Sequence, residues 1–127
     1  MAKYHIGIHE FSFNKIKNGS RKVAVSILDK QAQQLKIGDV LEVSNQKTGE
    51  KLSRKVKGVA IFDNFQDLVE TLTPQALGYD NAKEVMVRLR RMYSPQQLAD
   101  FNAVGFFLER PQVQVRKLVR EEIAREG

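Results

Sequence analysis

The sequence predicts an α+β fold in which a small mixed β-barrel or curled sheet carries flanking helices. Strand patterns dominate the first half of the 127-residue chain, and the longer helical patterns fall between the fourth strand and the last. The length fits one domain that buries a core without disulfides or metals. A break at Pro111 divides the chain into a domain over 1–110 and a C-terminal amphipathic, helical extension over 111–127.

Five strands are predicted from β-branched residues, period-two alternation and flanking turns. They fall at residues 4–8, 21–27, 40–44, 50–61 and 103–108. The second is the most regular, because Val23, Val25 and Ile27 share one face and Ala24 and Ser26 share the other. The third and fourth are expected to form a hairpin around the loop 45–49.

Short helices or helical turns are predicted from apolar spacing and from capping residues. They fall at residues 11–19, 29–35, 65–72, 81–92 and 95–101. Gly19 suits the left-handed position that ends the first helix. Asn64 and Asp80 are the expected N-caps of the third and fourth, and Ser94 followed by Pro95 opens the fifth.

Composition excludes several classes of site. The chain has no cysteine, which rules out disulfides and thiol catalysis and fits a reducing compartment. No apolar run approaches the roughly 20 residues that span a bilayer, and the N-terminus lacks a signal-peptide pattern. We therefore expect a cytoplasmic protein without a membrane partner. His5 and His9 have only Glu10 nearby as a further ligand, so no metal and no cofactor is predicted.

The basic excess lies in the N-terminal half of the chain. The formal net charge is +6 and the pI is about 9.7. Counted along the sequence, residues 1–60 carry 12 basic and 5 acidic side chains, a net of +7. Residues 61–109 carry 4 against 7, a net of −3. A phosphate-bearing partner is one explanation, and a solvated, solubilising surface is the other.

Five short motifs follow one another over residues 4–109. They are Phe-x-x-Ile-x-x-Gly at 13–19, Gly-Asp-Val-Leu-Glu-Val at 38–43, Phe-Asp-Asn-Phe at 62–65, Met-Tyr-Ser-Pro at 92–95 and Ala-Val-Gly-Phe-Phe at 103–107. This order resembles the ASCH domain family of the PUA-like superfamily. The resemblance implies a PUA-like mixed β-barrel, a cleft beside residues 19–22 and a role related to RNA.

The resemblance also implies catalysis in some relatives, which hydrolyse acetylated cytidine or cleave RNA. In the amidohydrolases a Lys and a Thr follow the Gly, and a Glu lies downstream. Here Arg21 and Ala24 occupy the first two positions, and the third falls near Gly78. Ala24 has no hydroxyl to act as a nucleophile, and Arg21 stays protonated and cannot be a general base. The sequence thus favours a non-catalytic protein, with a hydrolase of modified nucleosides or RNA as an alternative.

The predicted function is binding of RNA or a nucleotide in a basic cleft. The candidate residues are Ser20, Arg21, Lys22, Ser26, Lys30, Arg54 and Lys55. Arg21 and Lys22 are expected to contact phosphate at the mouth of the cleft, with both side chains exposed at a strand end. A second basic run at 88–91 either tracks a phosphate backbone or forms a solvated helix face.

The C-terminal extension suggests a third function. Its apolar residues Val115, Leu118, Val119 and Ile123 form one stripe at helical spacing. Such a stripe packs on its own barrel or on a second copy, so a homodimer through this segment and a protein-interaction module are both open.

Overall fold

A computed structural model describes residues 3–110, with the side chain of Lys3 excepted. The strands are β1 (Lys3–Ile8), β2 (Val23–Ile27), β3 (Val40–Asn45), β4 (Lys51–Phe62) and β5 (Ala103–Leu108). The helices are α1 (Glu10–Lys17), α2 (Lys30–Gln34), α3 (Phe65–Leu72), α4 (Ala82–Met92) and α5 (Pro95–Asp100). The predicted fold class is confirmed, and the predicted extension over 111–127 and its dimer lie outside the described residues.

The five strands of this region form one curled sheet in the order β1-β3-β4-β5-β2. The β1–β3 pair is parallel, and the other three pairs are antiparallel. Strand β4 belongs to both halves of the sheet, because it pairs with β3 and then with β5. A bulge at Lys57, between Val56 and Gly58, bends it at the junction. The sheet therefore curls into a half-barrel whose open seam lies between β1 and β2.

Two hydrophobic cores lie on opposite faces of this sheet. The inner core fills the concave face and includes Leu41, Val56 and Phe106. The outer core packs Val23, Val25 and Ile27 against buried residues of α3 and α4. Strand β2 is thus buried on both faces. The period-two pattern of its sequence correctly predicts which of its residues lie on each face.

Capping residues set the helix boundaries much as predicted. The Asn64 side chain accepts a hydrogen bond from the Asp67 amide, so α3 begins at Phe65. Ser94 forms a capping box with Gln97 ahead of α5. The prediction for α4 was wrong by one residue: Asn81 rather than Asp80 is its N-cap, because the Asn81 side chain accepts from the Glu84 amide.

The helices of the described region are short. None of those within residues 3–110 combines the length and the apolar character that crossing a bilayer requires.

Candidate functional site

A cleft of about 500 Å³ opens along the seam between the two edge strands. We call it the seam cleft. Strand β1 lines it with Tyr4, Ile6 and Ile8, and β2 contributes Ala24. Helix α4 and the turn that ends at Tyr79 form the opposite wall. The cleft exists because β1 and β2 are the ends of the strand order, so no ladder closes the half-barrel between them.

Arg21 is the central cation of the seam cleft and is only 7% exposed. Its Nε donates to the Val23 carbonyl at 2.8 Å, which turns the side chain back along β2. Its backbone amide donates to the Lys15 carbonyl at 2.9 Å. The prediction that Arg21 is exposed at a strand end was therefore wrong: the chain reverses at Gly19 and turns this side chain inward.

The Arg21 guanidinium is a buried charge, and its two Nη donors have no hydrogen-bond partner in the described region. Within residues 3–110 no carboxylate pairs with it, and neither Nη has a hydrogen-bond partner. Both Nη atoms keep some accessible surface, since no fully buried polar side-chain atom of this region lacks a partner. Burial lowers the pKa of Arg21, and nearby Tyr79 opposes that shift. A buried arginine stays cationic, so it favours an anion in the cleft.

Gly78 positions the aliphatic part of Arg21. Its φ of 87° lies in the left-handed region. A Cβ at this position would lie 3.2 Å from Lys15 Cδ and 3.4 Å from Arg21 Cδ. The Lys15 ammonium donates to the Gly78 carbonyl at 2.5 Å and lies over the Phe11 ring. The turn therefore fixes the two basic side chains beneath it.

We expect Gly78→Ala to destabilise the domain by more than the approximately 1–2 kcal/mol that a left-handed alanine costs. The added methyl must also displace Lys15 or Arg21. Gly49→Ala is the matched control, because Gly49 has a φ of 78° and nothing within 4 Å of its Cβ position. Urea unfolding of both variants measures the difference. Equal losses would show that Gly78 has no role in packing Arg21.

Three tyrosines contribute to the lining, and each is held by a contact with a neighbouring side chain. The Tyr79 hydroxyl lies 3.0 Å from Ser12 Oγ. Tyr93 stacks on Phe65, with ring centroids 6.0 Å apart. The Tyr4 hydroxyl lies 3.3 Å from Ser26 Oγ. Burial raises the pKa of Tyr4 and of Tyr93, so both phenols stay neutral. The lining thus offers fixed aromatic surfaces.

Two arginines of α4 add positive charge to the cleft. Arg88 and Arg91 line it, whereas Arg90 of the same helix is exposed and does not. His9 and Gln46 line it as well, and His9 caps α1 by accepting from the Phe11 amide through Nδ1. With Arg21, the cleft combines three arginines with mostly apolar walls, which suits a ligand that has one flat apolar part and one anionic part.

The other predicted cations lie elsewhere. Lys22 and Arg54 flank a separate crevice of about 10 Å³ on the far side of Arg21. Burial lowers the pKa of Arg54, whose Nη1 donates to its neighbour Ser53. Ser20, Lys30 and Lys55 are exposed and line neither cavity.

Ser26 supports the site without lining it. Its side chain is 1% exposed, and Oγ donates to the Ile27 carbonyl at 2.9 Å. Ser26 therefore uses its own proton on the backbone and leaves its oxygen to accept from Tyr4.

No group of three or more histidine, aspartate or glutamate side chains in residues 3–110 is placed to hold an ion. His5 instead lies 3.0 Å from Ser44 Oγ on the exposed face of the sheet.

Arg88, Arg91 and the tyrosines were not among the predicted cleft residues, although phosphate contact was one of the two interpretations of the basic run at 88–91. Helical spacing gave a partial signal, because Arg88 adjoins the buried stripe formed by Val85 and Leu89. The tyrosines had no comparable signal, because isolated aromatic residues are usually core residues.

The fold is shared with solved structures, including those of two other proteins. One is the crystal structure of hypothetical protein PH0355, with a TM-score of 0.73 at 23% identity, covering 86% of this chain and 99% of that chain. The other is the solution NMR structure of protein PF0455 from Pyrococcus furiosus, with a TM-score of 0.60 at 22% identity, covering 85% and 96%. At such identities the likeness establishes the fold alone. No family model and no curated protein matches the chain.

Proposed function

We propose that the domain binds a nucleotide unit, free or as part of RNA, in the seam cleft. The observation that carries this proposal is Arg21, a buried cation that has two unused Nη groups and no carboxylate partner among residues 3–110. Leaving such a charge uncompensated costs several kcal/mol, so the site favours an anionic ligand. Phosphate oxygens accept a pair of parallel hydrogen bonds from the N–H groups of a guanidinium especially well.

The remaining lining suits the rest of a nucleotide. A cleft of about 500 Å³ falls within the size range of small-molecule sites. Tyr79 and Tyr93 offer faces on which a base stacks, an interaction that contributes about 1–3 kcal/mol per base. Arg88 and Arg91 add charge that attracts phosphate. Both parts of a nucleotide thus have complementary surfaces in one cavity.

The proposed activity is binding rather than catalysis, as expected of an ASCH-like domain that lacks the hydrolase residues. Ala24 lines the cleft at the position that resembles the amidohydrolase threonine, and it has no group to attack an amide. Ser12 lines the cleft too, but its hydroxyl is engaged with Tyr79 at 3.0 Å. His9 Nδ1 accepts from a backbone amide. The side chains of the cleft therefore support binding better than hydrolysis.

We expect the double change Arg88→Gln with Arg91→Gln to weaken nucleotide binding about tenfold, since each partly exposed contact contributes up to about 1 kcal/mol. Arg90→Gln is the control, because it removes one positive charge from the same helix outside the cleft, and its effect is compared with half that of the double change. Calorimetric titration with nucleoside monophosphates and short RNA measures the effect.

The salt dependence of the binding affinity distinguishes binding in the seam cleft from binding to the general basic surface. For single strands, log affinity falls with log salt by about 0.7 per phosphate engaged. The double variant should flatten that slope while Arg90→Gln leaves it largely unchanged. Equal effects of both would place binding on the general surface, and no binding by the wild type even at low salt would reject the proposal.

A further inference from the structure

Only one edge of the Arg21 guanidinium has both of its donors without a partner among residues 3–110. A guanidinium binds an anion through Nε with one Nη, or through both Nη atoms. Nε is already bonded to the Val23 carbonyl at 2.8 Å. The pair of Nη atoms therefore remains, at the tip of a residue that is only 7% exposed. An anion must come to that tip, because the Val23 carbonyl and Gly78 hold the rest of the side chain in place.

The space behind Arg21 is closed to a polymer chain. Arg21 and Ile16 line both the seam cleft and the crevice that Lys22 and Arg54 flank. The crevice holds about 10 Å³, which is room for one water molecule at most. The crevice that adjoins Arg21 therefore has no room for a nucleotide of a strand bound in the seam cleft.

We propose, on the basis of nucleotide binding in the seam cleft, that Arg21 selects a terminal phosphate, which is the phosphomonoester of a free nucleotide or of an RNA end. A phosphomonoester carries chain on one side only, so it can reach the Arg21 Nη atoms with its substituent directed away from the crevice. An internal phosphodiester has two chain continuations, and neither can run through the crevice that adjoins Arg21.

Charge favours the same choice. A phosphomonoester carries about −1.5 to −2 charges at neutral pH, whereas a phosphodiester carries one. The seam cleft supplies three cations in Arg21, Arg88 and Arg91, and no acidic side chain of the described region lines it. A dianion therefore gains more from this cavity than a monoanion does.

The experiment uses unlabelled ligands in calorimetric titrations with the full chain. The RNA ligands are one short oligonucleotide in four forms: with a 5′-phosphate, with a 3′-phosphate, with hydroxyls at both ends, and circularised. A nucleoside monophosphate and its nucleoside complete the set. We expect a terminal phosphate to raise affinity about 10- to 100-fold over the hydroxyl-ended form, as hydrogen bonds to a charged group do. Arg21→Met should abolish that preference, and the exposed Lys22→Met should keep it.

The possible outcomes distinguish failure of terminal-phosphate recognition from failure of nucleotide binding. Equal affinity of the phosphorylated, hydroxyl-ended and circular forms would overturn terminal recognition while leaving nucleotide binding in place. No binding by any ligand would reject both. A monophosphate that binds as well as the phosphorylated RNA identifies a free nucleotide as sufficient, whereas tighter binding of the RNA identifies a strand end. The wild-type ranking decides the question even without a folded Arg21→Met protein.

Discussion

Replacing Arg21 with methionine is expected to reduce nucleotide binding about 100-fold or more, because two hydrogen bonds to a charged group are lost. The same change is expected to stabilise the unliganded domain. A buried ion without a partner costs several kcal/mol, whereas the Val23 carbonyl that loses its donor costs about 1–3 kcal/mol. Methionine also keeps most of the apolar volume that packs near Gly78. Urea unfolding and calorimetric titration measure the two effects on one preparation.

Two further variants make the Arg21 result specific. Arg21→Lys keeps a cation and loses the paired Nη donors, so binding should fall while salt dependence persists. Lys22→Met removes a neighbouring exposed charge and should change neither property much. If Arg21→Met unfolds more easily than the wild type, the guanidinium stabilises the unliganded protein. The premise that its charge is uncompensated, on which the anion-binding role depends, would then be contradicted.

Replacing Phe13 with alanine is expected to destabilise the domain by about 3–5 kcal/mol, the range for deleting a buried aromatic ring. Phe13 of α1 is 0% exposed and belongs to the inner core with Leu41 and Phe106. Its loss leaves a cavity that a sheet fixed by four ladders cannot readily collapse around. Chemical denaturation followed by circular dichroism measures the change.

Phe11→Ala is the matched control for Phe13. It lies two residues earlier on the same helix and is 46% exposed. Its contacts are with Tyr79, at 6.3 Å between ring centroids, and with the Lys15 ammonium. We expect a loss below about 1 kcal/mol. Similar losses for the two phenylalanines would contradict the assignment of α1's buried face.

Local patterns predicted most of the fold. Successive residues of β2 alternate between the two cores, because the two faces of the strand contact different layers. This alternation can be recognised from neighbouring residues in the sequence. Caps such as Asn64 and Ser94 act over three residues and are equally local. The error at Asp80 arose because Asn81 is an equally good cap one position later.

The site was predicted less completely, since it depends on contacts between distant residues. Arg21 follows the same alternation as Val23, which faces the helices, but a charged residue is normally expected in solvent. Ser26 and Tyr4 are 22 residues apart, and their contact depends on the curl of the sheet. Arg88 faces the cleft only because α4 packs outside β2. Apart from the helical spacing of Arg88, none of these relations has a local sequence signal.

The position of β5 has a consequence for synthesis on the ribosome. This strand comes last among the five in the chain, yet it lies between β4 and β2 in the sheet. Until residue 108 has emerged from the exit tunnel, β2 has no ladder partner and the nascent chain exposes Val23, Val25 and Ile27. The β1–β3–β4 unit can form earlier, since its ladders end at residue 55 of β4. The seam is therefore built after translation of the whole domain, and the nascent chain passes through a stage at which an apolar strand needs protection from other chains.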